Sequence, residues 1–187
     1  MPYNTAIQMA VRTLSALDPD AVCARAGVAY DGGEYVIPWF NEKKRLGDGS
    51  ETERILWMHY LISEGVGAPT GRLVAYRELK GAGFYELAFN ARVIRPLVKR
   101  FGANPALLTQ TAVLLDGRPE RMGDAAATIW PLPRLSVTYI VWGGDDELPP
   151  DGMILFDSAA SGWLPAEDLT VLAALGTYRL VKTAGAA

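Results

Sequence analysis

Cysteine and histidine are almost missing from this chain: 187 residues hold one of each, Cys23 and His59. A lone cysteine forms no internal disulfide and cannot by itself hold zinc or an iron–sulfur cluster, and one cysteine with one histidine leaves a zinc enzyme almost nowhere to be built. A Ser–His or Cys–His catalytic machine would have to be built on His59. Long apolar runs are missing too. No stretch approaches the roughly 20 apolar residues of a membrane-spanning helix, and residues 1–10 lack the basic region and apolar run of a secretory leader. Charge of one sign is missing: 18 basic against 21 acidic residues leave a net charge of −3, so the overall field does not draw the chain to nucleic acid. There is no glycine-rich phosphate loop, no nucleophile elbow and no interleaving of aromatic with basic residues. Such sparing use of cysteine suits a reducing compartment, and the expectation is a cytoplasmic protein.

What is present is globular. Half the residues are apolar and 21% are charged, which argues against disorder. The length suits a single domain over residues 1–187, with a core that needs no staples. Ile7, Ala10, Val11 and Leu14 recur at helical spacing within 5–17. A short helix follows over 20–26, ending at Gly27, and strands over 28–30 and 35–40 flank the turn Asp31-Gly32-Gly33. The clearest helix is 50–64: Ser50 and Glu53 match a capping box, Gly65 stands where a terminal glycine belongs, and apolar residues surround the axis between them. A helix apolar all round is central and buried. A strand is expected over 72–79, then a helix over 85–101 that Pro96 either kinks or restarts, then a helix opened by Asn104-Pro105 with the asparagine as cap. Residues 129–133 are extended, and strands over 135–142 and 153–156 form a hairpin across 143–152. A last helix runs from Pro165 to about Leu175; 177–182 is helix or edge strand, and 183–187 reads as a frayed end. Helices come early and strands cluster in pairs, which predicts an α+β fold: a mainly antiparallel sheet packed with several helices, one of them a central buried helix around 52–64.

Several side chains can carry chemistry. His59, with its neighbour Tyr60, can serve as a general base or a lone axial metal ligand; the plainer account is a histidine hydrogen-bonded inside the core. Asp145, Asp146 and Glu147 can bind a hard cation or supply an acid of raised pKa, or they can be a solvated turn stiffened by Pro149 and Pro150. Arg77 and Glu78 are adjacent on the expected strand, so one should face inward, and a half-buried arginine needs a carboxylate such as Asp157 or one from the acidic turn. Asp157 also suits a turn or cap. Glu167 and Asp168 fit the helix dipole just after Pro165. Arg92, Arg95 and Lys99, with Arg100 beside them, form a basic stripe opposite an apolar face of Ala91, Ile94, Val98 and Phe101.

Taken in order, a set of short segments resembles the family known as domain of unknown function 3786. They are His59-Tyr60-Leu61, Pro69-Thr70-Gly71, Tyr76-Arg77-Glu78-Leu79, Phe84-Tyr85, Arg92 with Pro96-Leu97, Gly123-Asp124, Pro131-Leu132-Pro133, Asp145-Asp146-Glu147-Leu148-Pro149, Leu155-Phe156-Asp157 and Leu164-Pro165-Ala166-Glu167-Asp168-Leu169. Tyr76 and Leu148 stand where that family prefers phenylalanine. The resemblance implies relatives in anaerobic bacteria and archaea, some with an added iron–sulfur domain of the kind found beside corrinoid proteins of one-carbon metabolism. This chain has no cysteine cluster to match that domain, and the resemblance brings no activity or site residues with it.

The first functional reading is a binding or accessory protein. Its cleft would lie between the His59 helix, the Arg77 strand and the acidic turn, for a small anion, a metal or a corrinoid-type cofactor with His59 as axial ligand. The alternative is an enzyme pairing Asp146 or Glu147 with Asp157 as acid and base, beside His59. A further alternative is a protein-interaction module docking through the basic stripe. No resident metal or cofactor is assigned, and neither nucleic acid nor membrane is expected as a partner.

Overall fold

The computed structural model describes residues 2–65 and 67–186; Met1, Val66 and Ala187 lie outside it. Helix α1 (Pro2–Ser15) buries Ala10 and Leu14 but exposes Val11, so its apolar face is narrower than the spacing predicted, and the burial of Ile7 lies outside the described residues. Helix α2 (Pro19–Ala26) starts where Asp18 accepts a hydrogen bond from the Asp20 N–H, and it ends at Gly27. A three-stranded antiparallel sheet follows, in the order β1 (Ala29–Asp31), β2 (Glu34–Trp39) and β3 (Glu42–Arg45). Strand β3 was not foreseen. Its four residues are all charged, so it has no apolar alternation; backbone pairing from Trp39↔Glu42 to Val36↔Arg45 makes it a strand, and charge is what an edge strand tolerates.

Helix α3 (Glu51–Ile62) has the expected capping box, with the Glu53 N–H donating to Ser50 Oγ and the Ser50 N–H donating to Glu53 Oε2. Leu56, Trp57, Met58, Tyr60 and Leu61 are all buried, and α3 packs on α1, α2 and α7. It ends earlier than expected, capped at Ser63. Gly65 has another reason to be glycine: at φ +67 a Cβ there would lie 2.7 Å from the Trp163 ring.

The region expected as one strand over 72–79 is split. Strand β4 (Leu73–Ala75) gives way to a single 3-10 turn, Tyr76–Glu78. Glu78 Oε2 folds back to accept the Ala75 N–H at 2.7 Å, a local side-chain bond that competes with the ladder. The Tyr76 ring stacks on Phe89 with centroids 3.8 Å apart. Strand alternation therefore does not apply to Arg77 and Glu78, and both are exposed.

Residues 86–101 form one continuous helical run: α4 (Glu86–Phe89), a π turn (Asn90–Ile94) and α5 (Arg95–Phe101), which has Pro96 in its first turn. The Arg95 N–H reaches back to the Asn90 carbonyl. The wider turn takes up the extra residue ahead of the proline. It also shifts the buried face to Phe89, Val93, Leu97 and Phe101, leaving Ala91 exposed and Ile94 and Val98 half-buried, contrary to the expected face. Helix α6 (Ala106–Val113) begins after Pro105; Asn104 offers its carbonyl to the Leu107 N–H and makes no side-chain cap.

The main sheet has five strands in the order β4-β8-β7-β6-β5, with β5 (Arg118–Glu120), β6 (Ala125–Leu132), β7 (Leu135–Trp142) and β8 (Asp151–Asp157). Every pairing is antiparallel. Strands β6 and β7 are buried along most of both faces, so layers cover both sides. The β6–β7 register shifts between Ile129 and Leu132, around Pro131, which has no N–H for the ladder. Helix α7 (Ala166–Ala186) continues through the residues left undecided and through 183–186 of the expected frayed end, Ala187 lying outside the described residues, with Thr177, Leu180 and Ala184 buried. The architecture is α+β with antiparallel sheets.

Candidate functional site

His59 lies on the last turn of α3 and lines a cleft of about 690 Å³. Its Nδ1 is 2.7 Å from Asp168 Oδ2 in the first turn of α7; the histidine side chain is 35% exposed and the aspartate 13%. The Asp168 hydrogen bond raises the His59 pKa above its ordinary value, against the opposing effect of burial. With Asp168 ionised, Nδ1 carries the proton and donates it, so the neutral ring keeps its lone pair on Nε2. Among the described residues no other hydrogen bond reaches this ring.

Three segments complete the cleft. The end of α3 contributes Ile62 and Ser63 beside His59, the segment before α4 contributes Lys80, Gly81, Phe84 and Tyr85, and Ser161 to Glu167 form the wall leading into α7. Two bonds brace these walls. Ser63 Oγ donates to the Gly162 carbonyl at 3.1 Å, and the Tyr85 hydroxyl donates to Glu167 Oε2 at 3.1 Å. The hydrogen bond to Glu167, and then the charge of that carboxylate, push the Tyr85 phenol pKa up. Tyr76 fixes the start of α7 from below: its hydroxyl donates to the Ala166 carbonyl and lies 2.7 Å from Thr170 Oγ1. Trp163, Leu164 and Pro165 give this wall an apolar surface, with Trp163 itself buried.

The other candidates do not join His59. Tyr60 points into the core; its hydroxyl donates to the Ala26 carbonyl at 2.6 Å and accepts the Arg134 N–H. Arg77 borders a different, smaller cleft with Asn90 and Met153. Asp145 borders a third, beside Asn104 and Asp124. Asp145 Oδ1 accepts the Glu147 and Leu148 N–H groups, which hold its carboxyl below the usual range, while Asp146 and Glu147 are exposed. Asp157 is 3% exposed, and its carboxylate accepts from the N–H groups of Thr70, Gly71 and Ala159 and from Thr70 Oγ1. It stands at the opposite end of β8 from the acidic turn, a span of about 20 Å at about 3.3 Å per residue. The expected cleft between the His59 helix, Arg77 and the acidic turn is therefore not formed, and neither is the pairing of Asp146 or Glu147 with Asp157. Nor does Arg77 pair with Asp157, whose carboxylate instead binds the Thr70–Gly71 turn and Ala159. Arg92, Arg95 and Lys99 are exposed along the π turn and α5.

The acids that do meet His59 and Tyr85 are Asp168 and Glu167. Sequence reasoning assigned both to the helix dipole, a local account that was sufficient in itself. The available signal was the pairing problem: the only imidazole, on a mostly buried helix, needs a partner, and these two acids open the last helix. Among the described residues no group of three or more His, Cys, Asp or Glu side chains can hold a metal ion, and no helix is long and apolar enough to cross a membrane.

Compared with known proteins, residues 18–179 match a family model described as a domain of unknown function (DUF3786). No curated protein and no solved structure matches the chain.

Proposed function

The chain belongs to the DUF3786 family, and on that premise we propose that the His59 cleft binds a small ligand through the Nε2 atom of His59. One observation carries this reading: the single imidazole lines a cleft while a carboxylate holds its other nitrogen. Outer-sphere carboxylates orient ligating histidines in this way and raise their basicity. A bare metal ion wants three or four protein donors, which the described residues do not gather. A metal-bearing macrocycle brings its own equatorial donors and needs only one from the protein. The donor set here fits that class, a corrinoid-type cofactor included, and His59 would hold its metal through Nε2. Bound there, such a group would supply metal-centred chemistry; the chain would supply orientation, through Asp168, and shelter. This suits a binding or accessory protein of cytoplasmic one-carbon metabolism.

The test is a titration with cobinamide, a corrinoid without a nucleotide base of its own, followed by the absorbance change that nitrogen ligation produces. His59→Ala should lose that change. Asp168→Asn should weaken binding about tenfold, as loss of an outer-sphere partner does. Binding should also weaken as pH falls through the raised His59 pKa, because protonation occupies Nε2. An unchanged spectrum with the wild-type protein excludes this class, and a thermal-shift screen of anions, nucleotides and metals then becomes the deciding measurement.

The same dyad supports a second reading, general acid–base catalysis with Nε2 as base. One readout serves both. With a single histidine in the chain, one imidazole proton resonance titrates in the NMR spectrum. Asp168→Asn should lower that pKa, because the hydrogen bond that raises it is lost while burial, which lowers it, remains. The stability side has a definite sign. A folded-state pKa above the unfolded value means the pair stabilises fully below about pH 6.5, and that stabilisation is lost as pH rises through the folded value. The stability gap between wild type and Asp168→Asn should therefore be larger at pH 5.5 than at pH 9.

A further inference from the structure

We infer that Phe84 is a flap: its ring folds down over a ligand held at His59, so the cleft takes molecules with a flat apolar face in preference to bare ions or small polar metabolites. This rests on the ligand reading above. Phe84 lines the cleft, yet it is 92% exposed. Burying a phenylalanine side chain is stabilising, and the chain's own packing leaves that gain unrealised. The ring sits at the end of a single 3-10 turn, Ala82–Phe84, whose anchor is the buried Ala82. The middle of the turn is open: a Cβ built on Gly83 would meet no atom beyond its chain neighbours within 4 Å. On the far side Tyr85 is tied to Glu167. Between these two anchors the ring can swing by side-chain rotation alone, a motion of picoseconds to nanoseconds for an exposed residue.

What the ring would close against is apolar as well. Pro165 is exposed on the facing wall, and Trp163 and Leu164, both buried, back it. The cover, the apolar part of the wall and the imidazole describe a ligand with a hydrophobic face and one atom that accepts a nitrogen donor, while Lys80 and Glu167 in the same lining suit polar groups at its edge. A small polar molecule would gain nothing from the ring and would lose water as it closed.

Leu87 supplies the control, because it is 87% exposed, three residues further on, and does not line the cleft. Cobinamide dissociation is measured by stopped-flow absorbance on wild type, Phe84→Ala, Phe84→Trp and Leu87→Ala. Phe84→Ala should release the probe about tenfold faster with little change in association, since loss of a covering side chain acts on the off-rate. Phe84→Trp should keep the slow release, and Leu87→Ala should match wild type. Equal release from Phe84→Ala and wild type would overturn the flap while leaving the His59 site intact. Equal acceleration by Leu87→Ala would also overturn it, because general apolar adhesion would then be the cause. No binding to the wild-type protein would remove the ligand reading, and this inference with it.

Discussion

Replacing Asp157 with alanine is expected to lower the free energy of unfolding by about 3 kcal/mol at pH 7. The carboxylate is buried and accepts four hydrogen bonds, from Thr70 N–H and Oγ1, Gly71 N–H and Ala159 N–H. Truncation removes four hydrogen bonds at once, and although Thr70 and Gly71 are exposed and Ala159 half-buried, bonds to a charged acceptor are worth about 1 kcal/mol or more each. Burial opposes ionisation of Asp157, but these N–H groups outweigh it and hold the pKa below the ordinary value. A depressed folded-state pKa gives stability that is present above the unfolded value of about 3.9 and is lost as pH falls through the folded one. The deficit of Asp157→Ala should therefore be larger at pH 7 than at pH 3. Urea unfolding of both proteins at the two pH values measures it. Full stability in the mutant at pH 7 would free this carboxylate from its structural role and return it to the list of functional candidates.

Gly176→Ala is expected to cost about 3 kcal/mol, although alanine is the better helix former by about 1 kcal/mol. Gly176 lies inside α7, where that helix crosses the sheet. A Cβ there would collide with the Tyr139 hydroxyl and come within 3.1 Å of its Cζ, with Ile129 Cδ1 at 3.3 Å. Tyr139 cannot easily yield: it is fully buried, and its hydroxyl donates to the Ala173 carbonyl at 3.0 Å. A dense core transmits a misplaced methyl as backbone strain, so the clash outweighs the propensity gain. Removing the colliding oxygen should relieve it. The double mutant Gly176→Ala, Tyr139→Phe should lose less stability than the two single losses added together, and denaturant midpoints of the four proteins complete that cycle. Additive losses would show that the contact is not the cause.

Much of the secondary structure was legible because its signals sit within a few residues of one another. The capping box of α3 needs only Ser50 and Glu53, and the β7–β8 hairpin needs only two apolar stretches and a connection rich in glycine and proline. Where the local signal was weak or ambiguous, the fold decided. Strand β3 exists because β2 offers it a ladder. The buried face of residues 86–101 moved because a π turn accommodates Pro96 and shifts the helical phase. Residues 177–182 became helix because α7 could bury Thr177 and Leu180 beneath it.

The same division runs through the site. By itself the sequence determined that any imidazole chemistry must use His59, since there is one histidine. It could not say which carboxylate the ring would meet. Asp168 is 109 residues away in the chain, and a pairing at that distance leaves no local periodicity or cap to read. Tertiary structure made the choice by laying the first turn of α7 against the last turn of α3. It also spent the Asp157 carboxylate on the Thr70–Gly71 turn and held the acidic turn at the other end of β8. The physical reason is common to all three: a side chain's chemistry depends on which donors, acceptors and apolar surfaces lie within a few ångströms, and chain packing, more than neighbouring sequence, brings those together.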